Sequence, residues 1–261
     1  MPCHPGRQNR SVDARLESMS LSDKTSPPLD NPIWHSMVAA HTSLADLVRV
    51  ENGGAGRYQR DVSPFGALAN PFEGPSWSAL GQVLGSHAAV LIIEPDQVPD
   101  GWEVLGAIGG VQMEGTQLLA EPDPEAIPLG PADVPEVLDL IDRTRPGPFL
   151  ARTVEMGTYV GVRRQGALIA MAGERLHPPG WTEISAVCTD QGFRGQGLGT
   201  RLIRAVAVGI RERGEQPFLH VAATNDVALR LYRSLGFEVA RTVSFTLLHS
   251  VRHAQGRVEH Q

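Results

Sequence analysis

Residues 189–200 read Thr189-Asp190-Gln191-Gly192-Phe193-Arg194-Gly195-Gln196-Gly197-Leu198-Gly199-Thr200. They join the apolar run Trp181–Thr189, which reads as a buried strand, to an amphipathic run ending near Arg213, which reads as a helix. Glycines at 195, 197 and 199 remove the Cβ atoms that would hold a ligand away from the backbone. The first N–H groups of a helix lack intrahelical acceptors and carry the positive end of the helix dipole behind them. A turn of this kind binds phosphate. Two nucleotide readings fail on spacing. A dinucleotide fingerprint starting at Gly195 needs glycine at 200, which is Thr200, and a Walker loop needs a lysine that is absent.

Outward from this turn, Leu202, Ile203, Val206 and Ile210 fall on one helical face, a core stripe, and Gly214 closes the helix. Arg201, Arg204, Arg211 and Arg213 lie elsewhere on it, as a solvated basic surface. Phe218–Ala222 reads as a strand, Asp226–Leu235 as a helix closed by Gly236, and Glu238–Leu248 as one long strand or a strand pair. Upstream, Ala132–Arg143 reads as a helix, and Gly157–Arg163 and Ala167–Arg175 form a hairpin around Gln165-Gly166. Residues 121–131, with four prolines and three acids, read as a linker. Residues 31–120 form an N-terminal α/β region. In it 31–50 has helical spacing up to the breaker Asn52-Gly53-Gly54, His87–Glu94 is a buried strand, and Trp102–Val111 is another. Residues 1–30 read as a disordered leader, with Met19 a plausible start, and 251–261 as a polar tail.

The charge is divided. Residues 61–142 hold fourteen acidic groups and no Lys or Arg, whereas 143–261 hold sixteen basic and nine acidic groups. The acidic half repels a polyanion, so nucleic acid is not expected, while the cationic half suits a phosphorylated small ligand. A second copy of the chain, acidic half against basic half, is open as a homodimer partner. No apolar run reaches the ~20 residues of a membrane span and no h-region opens the sequence, so neither a membrane nor a secretory route is expected. Cys3 and Cys188 stand far apart, which suits a reducing cytoplasm. Of the nine histidines only His249 and His253 have the His-x-x-x-His spacing, and none meets a cysteine partner, so no metal is expected.

Arg194, Gly197 and Gly199 meet the pattern Arg/Gln-x-x-Gly-x-Gly/Ala, and about 30 residues on stands Asn225-x-x-Ala228-x-x-Leu231-Tyr232-x-x-x-Gly236-Phe237. With Glu183 in TEISAVCTD and the strand PFLHV between them, residues from about 150 to 248 resemble the GNAT family of N-acetyltransferases. The wording around GERL, GWTEISAVCTD and PFLHV is most similar to its glycine N-acyltransferase-like branch. The resemblance implies an α/β GNAT fold, a mixed, mostly antiparallel sheet flanked by helices, over residues 132–250. By analogy alone, with no motif in support, it implies a degenerate GNAT-like half over 31–120.

The resemblance further implies acetyl-CoA as co-substrate and a small-molecule or peptide amine as acceptor, attacking the thioester directly in a ternary complex. The backbone of Val187 and Thr189 would pair with the pantetheine arm. The amides of Arg194, Gly195, Gln196, Gly197, Leu198, Gly199 and Thr200 would hold the pyrophosphate, and Asn225 would reach the chain beyond it. Glu183 would be the base, direct or through water, projecting to the same strand face as Val187, and Tyr232 the acid that protonates the thiolate. His220 is the rival base, Glu174 a further contact for a cationic substrate, and Cys188 a buried hydrophobe. The alternative is a non-catalytic acyl-CoA-binding or regulatory module, in which the turn binds and no chemistry follows.

Overall fold

The computed structural model describes residues 27–85, 89–93 and 97–251; the expected leader up to residue 26, Met19 and Cys3 included, and the tail from 252 lie outside them. Chain order is α1 (Pro32–Val38), β1 (Ala45–Val50), β2 (Gly53–Tyr58), β3 (Gly66–Leu68), α2 (Gly74–Leu84), β4 (Ala89–Ile93), β5 (Trp102–Glu114), β6 (Ile127–Leu129), α3 (Val134–Thr144), β7 (Tyr159–Arg164), β8 (Ala167–Glu174), β9 (Trp181–Thr189), α4 (Leu198–Glu212), β10 (Gln216–Ala222), α5 (Asp226–Ser234) and β11 (Glu238–Ser250). An eight-stranded sheet runs β4-β11-β5-β10-β9-β8-β7-β6, and a small sheet runs β1-β2-β3. Every neighbouring pair of the large sheet is antiparallel except β9–β10.

Alternation along the strands sorts the layers. Leu219 and Val221 of β10, Ala170 and Ala172 of β8 and Ile184 of β9 pack with Leu202, Ile203, Val206 and Ile210 of α4. Phe218 of β10 faces the other way, into a cluster with Ile33, Met37, Tyr58 and Phe65 of the N-terminal layer. Met171 and Cys188 face that same side, under Val137 and Leu140 of α3. One face of the sheet therefore carries α4, and the opposite face carries α3 together with α1 and the small sheet.

Three expectations change. The helical spacing of 31–50 holds only over α1; Ala45–Val50 is a strand, paired with β2 through a hairpin whose Asn52 has a φ of 57°. The strand ADLVRV has β-branched residues and partial burial, which suits a small sheet better than a helix. The stretch 121–131 is not a free tether. It contains β6, and Arg201 of α4 holds Asp123 at 2.5 Å and Glu125 at 2.6 Å, while Arg204 holds Glu121 at 3.1 Å. The basic face of α4 and the acidic stretch thus meet within one chain. Lastly, β4 and β5 come from the N-terminal half, and β5 is inserted between β10 and β11, so the large sheet spans both halves of the sequence.

His41 fastens the layers. Its Nδ1 lies 2.9 Å from the Tyr58 hydroxyl and its Nε2 2.9 Å from the Met156 carbonyl. Burial, then the neighbouring His177, lowers its pKa from 6.5 to about 4. The unfolded chain takes up a proton near pH 6.5 that the folded chain refuses until about pH 4, so stability is whole above pH 6.5 and falls between these values. The expected loss is on the order of 3 kcal/mol. Urea denaturation at a series of pH values checks it, and His41→Gln is expected to flatten the slope.

Candidate functional site

Strands β9 and β10 pair in parallel only through Gln216–Trp181, Pro217–Thr182 and Phe218–Glu183, and beyond Glu183 no β9 residue is paired with β10. The sheet opens there as a V. Ala186 adopts a left-handed φ of 53°, and the β8–β9 register slips between Met171–Cys188 and Gly173–Ser185. This is a β-bulge: Ala186 and Val187 stand opposite Ala172 alone. The main chain of Val187 is thus left outside the registered ladder on one side and beyond the last β10 pair on the other.

The bulge also breaks the period of two. Ile184 and Val187 both pack toward α4, while Ala186 and Cys188 pack toward α3. The expectation that Glu183 and Val187 project to one face is therefore wrong, because the inserted residue inverts the alternation between them. Cys188 is buried, and burial pushes its thiol up to about 11, so it stays a small hydrophobe.

Glu183 lies at the base of the V and is fully buried. Arg175 grips it with Nε on Oε2 and Nη2 on Oε1, both at 2.7 Å, and His220 Nδ1 lies 2.7 Å from Oε1. The Nε2 of His220 lies 3.2 Å from Gln112 Oε1 on β5. Burial alone would raise the Glu183 pKa, but the charge and hydrogen bonds of Arg175, with His220, bring it down to about 2. A carboxylate so held is a fixed anion near neutral pH. The structure thus corrects the assignment of Glu183 as a direct base: its oxygens are occupied and it does not take up a proton in the working range. Glu174 is likewise corrected as a contact for a cationic substrate, being buried with Arg213 at 2.9 Å.

Arg175 and Gln112 were not singled out from the sequence. The available signal was a lone arginine ending the apolar run ALIAMAGER, since a buried charge needs an opposite one nearby. Its partner, Glu183, is eight residues on.

The turn before α4 has Gly195 and Gly197 at φ of 77° and 76°, both left-handed. A Cβ built at either meets nothing within 4 Å, so the main chain there faces open space. The first backbone bond of the helix runs from Arg201 N–H to Gly197 O at 3.1 Å, which leaves the amides of Leu198, Gly199 and Thr200 ahead of it. Asp190 accepts from Gly192 N–H at 2.9 Å and pairs with Arg143, bracing the turn from below. Gln196 is exposed within the turn. Arg194 gives its Nε–H to the Thr189 carbonyl at 3.2 Å, so that carbonyl is engaged within the chain. Asn225 caps α5, accepting from Ala228 N–H at 3.1 Å. Tyr232 packs edge-on to Phe237 at 5.7 Å, and burial pushes its phenol up to about 12. It is therefore protonated at neutral pH.

Comparison with known proteins places the fold in a family. Residues 159–246 match the FR47-like protein family. A solved GNAT-family protein from Novosphingobium aromaticivorans is 38% identical with a TM-score of 0.75, the match covering 86% of this chain and 99% of that one. The chain belongs to the GNAT family, whose class of enzyme is the acyltransferases. Among curated relatives, the N-alpha-acetyltransferase RimI of Mycobacterium tuberculosis is 41% identical over 83 residues, 31% of this chain and 51% of that protein. Mycothiol acetyltransferase of Saccharomonospora viridis is 30% identical over 109 residues, 38% of this chain and 33% of that protein. The chain spans about half or less of the length of these curated relatives. Among the described residues, no helix is long and apolar enough to cross a membrane.

Proposed function

We propose that this protein transfers an acetyl group from acetyl-CoA to a primary amine, by direct attack of the amine within a ternary complex. The observation that carries the proposal is the conjunction of the V between β9 and β10 with the unpaired amides that open α4. The amides from Gly195 to Thr200 hold the pyrophosphate, that of Arg194, expected with them, being given to Gln191 O at 3.4 Å instead, and the main chain of Val187 pairs with the pantetheine arm as an added strand would. Thr189, whose carbonyl already serves Arg194, contributes less than Val187. The exposed amide nitrogen of Asn225 remains for the ligand while its oxygen caps α5.

Three things are required of the residues: an oxyanion donor, a proton acceptor and a proton donor. The Val187 N–H, freed by the bulge, is the oxyanion donor. His220 takes the amine proton at Nε2, which the Gln112 amide meets through its N–H when flipped, with Glu183 accepting from Nδ1–H to fix the ring and Arg175 fixing Glu183 in turn. Tyr232 gives its phenolic proton to the departing thiolate. The name of the N-alpha-acetyltransferase RimI relative favours an α-amino group as acceptor, on a peptide or on a small molecule. Residues 31–120 act in the same unit, since they supply β5 beside β10 and Gln112 beside His220. A finer place in the glycine N-acyltransferase-like branch rests on sequence wording alone.

The test is release of thiol from acetyl-CoA across a panel of small amines and peptides. Tyr232→Phe is expected to lower kcat by about 100-fold while leaving acetyl-CoA binding in place. His220→Gln is expected to lower kcat comparably. Acetyl-CoA binding with no amine-dependent thiol release from any acceptor would favour the non-catalytic module instead.

A further inference from the structure

Arg57 near the end of β2 and Arg60 just after it line a cavity of about 270 Å³, together with Ser63, Phe65, Val90 and Leu150. The cavity lies in the N-terminal layer, on the sheet face opposite α4. Arg57 is only 9% exposed. Its Nε donates to the Tyr58 carbonyl at 3.1 Å, but among the described residues its terminal nitrogens meet no acceptor. Nor does any described carboxylate come within 4.0 Å of Arg57 or Arg60. The contrast is with Arg163, Arg175, Arg201 and Arg213, each held by a carboxylate. Burial, and then the charge of Arg60, lower the Arg57 pKa, with Asp46 opposing them only in part.

Ser63 adds a third donor. It is 4% exposed; its oxygen accepts from Phe65 N–H at 3.4 Å, and its own proton has no acceptor among the described residues. The Arg57 guanidinium, buried without a carboxylate partner, and the exposed Arg60 beside it, together with a hydroxyl that has a spare proton, make a seat for negative charge. The remaining wall is apolar. The volume lies at the small end of ligand pockets, too small for coenzyme A. We propose that this cavity binds the anionic end of a small molecule, a carboxylate or a phosphate on an apolar body of a few carbons. The site is separate from the turn before α4, and the proposal does not depend on acetyl transfer. It does stand close to the V, because the Phe65 ring that walls the cavity also lies 4.9 Å beneath the Arg175 guanidinium.

The full chain is titrated calorimetrically with butyrate, with inorganic phosphate, and with butyramide as the neutral isostere of butyrate. Variants Arg60→Gln, at an exposed position, and Arg57→Met are titrated alongside. Binding of butyrate or phosphate, none of butyramide, and a weakening of about tenfold or more in Arg60→Gln support the proposal. Which anion binds assigns the ligand to the carboxylates or the phosphates. Phosphate also suits the turn before α4, so that arm is read as the difference between the parent chain and Arg60→Gln, and by chemical-shift changes at the Arg60 and Ser63 amides. Arg57→Met is a second check where its circular dichroism matches the parent. Equal binding of butyramide, anion binding unchanged in Arg60→Gln, or binding of neither anion would overturn it.

Discussion

Arg175→Met is expected to destabilise the fold by about 3–5 kcal/mol, the usual result of leaving a buried charge without its partner. Glu183 is wholly buried, and both of its oxygens are held by Arg175 at 2.7 Å. His220 remains beside one oxygen but cannot replace a bidentate grip. The carboxylate must then take up a proton or admit water, and either change frees the His220 ring. Loss of activity should therefore accompany the loss of stability. The double variant Arg175→Met with Glu183→Leu should recover much of the stability, since removing both charges spares the desolvation, but none of the activity. Urea denaturation with thiol-release kinetics on the same samples separates the two effects. The acid side of the stability profile gives a further check. The folded Glu183 pKa of about 2 lies below its ordinary 4.5, so its contribution is complete above pH 4.5 and is lost as pH falls toward 2. In the double variant that part of the slope should vanish. Equal stability of Arg175→Met and the parent chain would show that the pair does not hold the base of the V.

Much of the C-terminal half was legible because its signals are local. Gln165-Gly166, both at positive φ, set the β7–β8 hairpin, and the 3.6-residue stripe of Leu202, Ile203, Val206 and Ile210 set α4. The glycines at 195 and 197 declared a left-handed turn, since no other residue takes those dihedrals as readily. What stayed hidden depends on pairing across long stretches of chain. Nothing in Trp102–Glu114 says that it will lie between β10 and β11, more than 100 residues on. The bulge at Ala186 hid the true facing of Glu183, because strict alternation is the only rule a sequence offers for a strand. Glu183 itself was found, but its partners were not. Whether a carboxylate is a base or an anchored anion depends on Arg175 and His220, which the fold brings to it from neighbouring strands.

Gly197→Val is expected to weaken coenzyme A binding by about 30-fold or more while leaving the core intact. At a φ of 76° a side chain with a Cβ costs on the order of 1–2 kcal/mol in backbone strain, and a β-branched one sits at the upper end. That strain either persists or is relieved by turning the amides of Leu198 and Gly199 away from their present direction. Inside the chain there is room for the new atoms, because nothing lies within 4 Å of a Cβ at this position. The open space they would enter is the space a phosphate must occupy to meet the amides, so the two effects act together on the ligand. Gly166→Val provides the control. Its φ of 85° and open surroundings match those of Gly197, but it sits in the β7–β8 turn. Both variants should lose similar stability, and only Gly197→Val should lose affinity, measured by calorimetry with coenzyme A. Gly197→Asn, which tolerates the left-handed region, should fall between the parent and Gly197→Val, because it removes the strain but keeps the bulk. A folded Gly197→Val chain that binds coenzyme A as the parent does would mean that the pyrophosphate is not held at this turn.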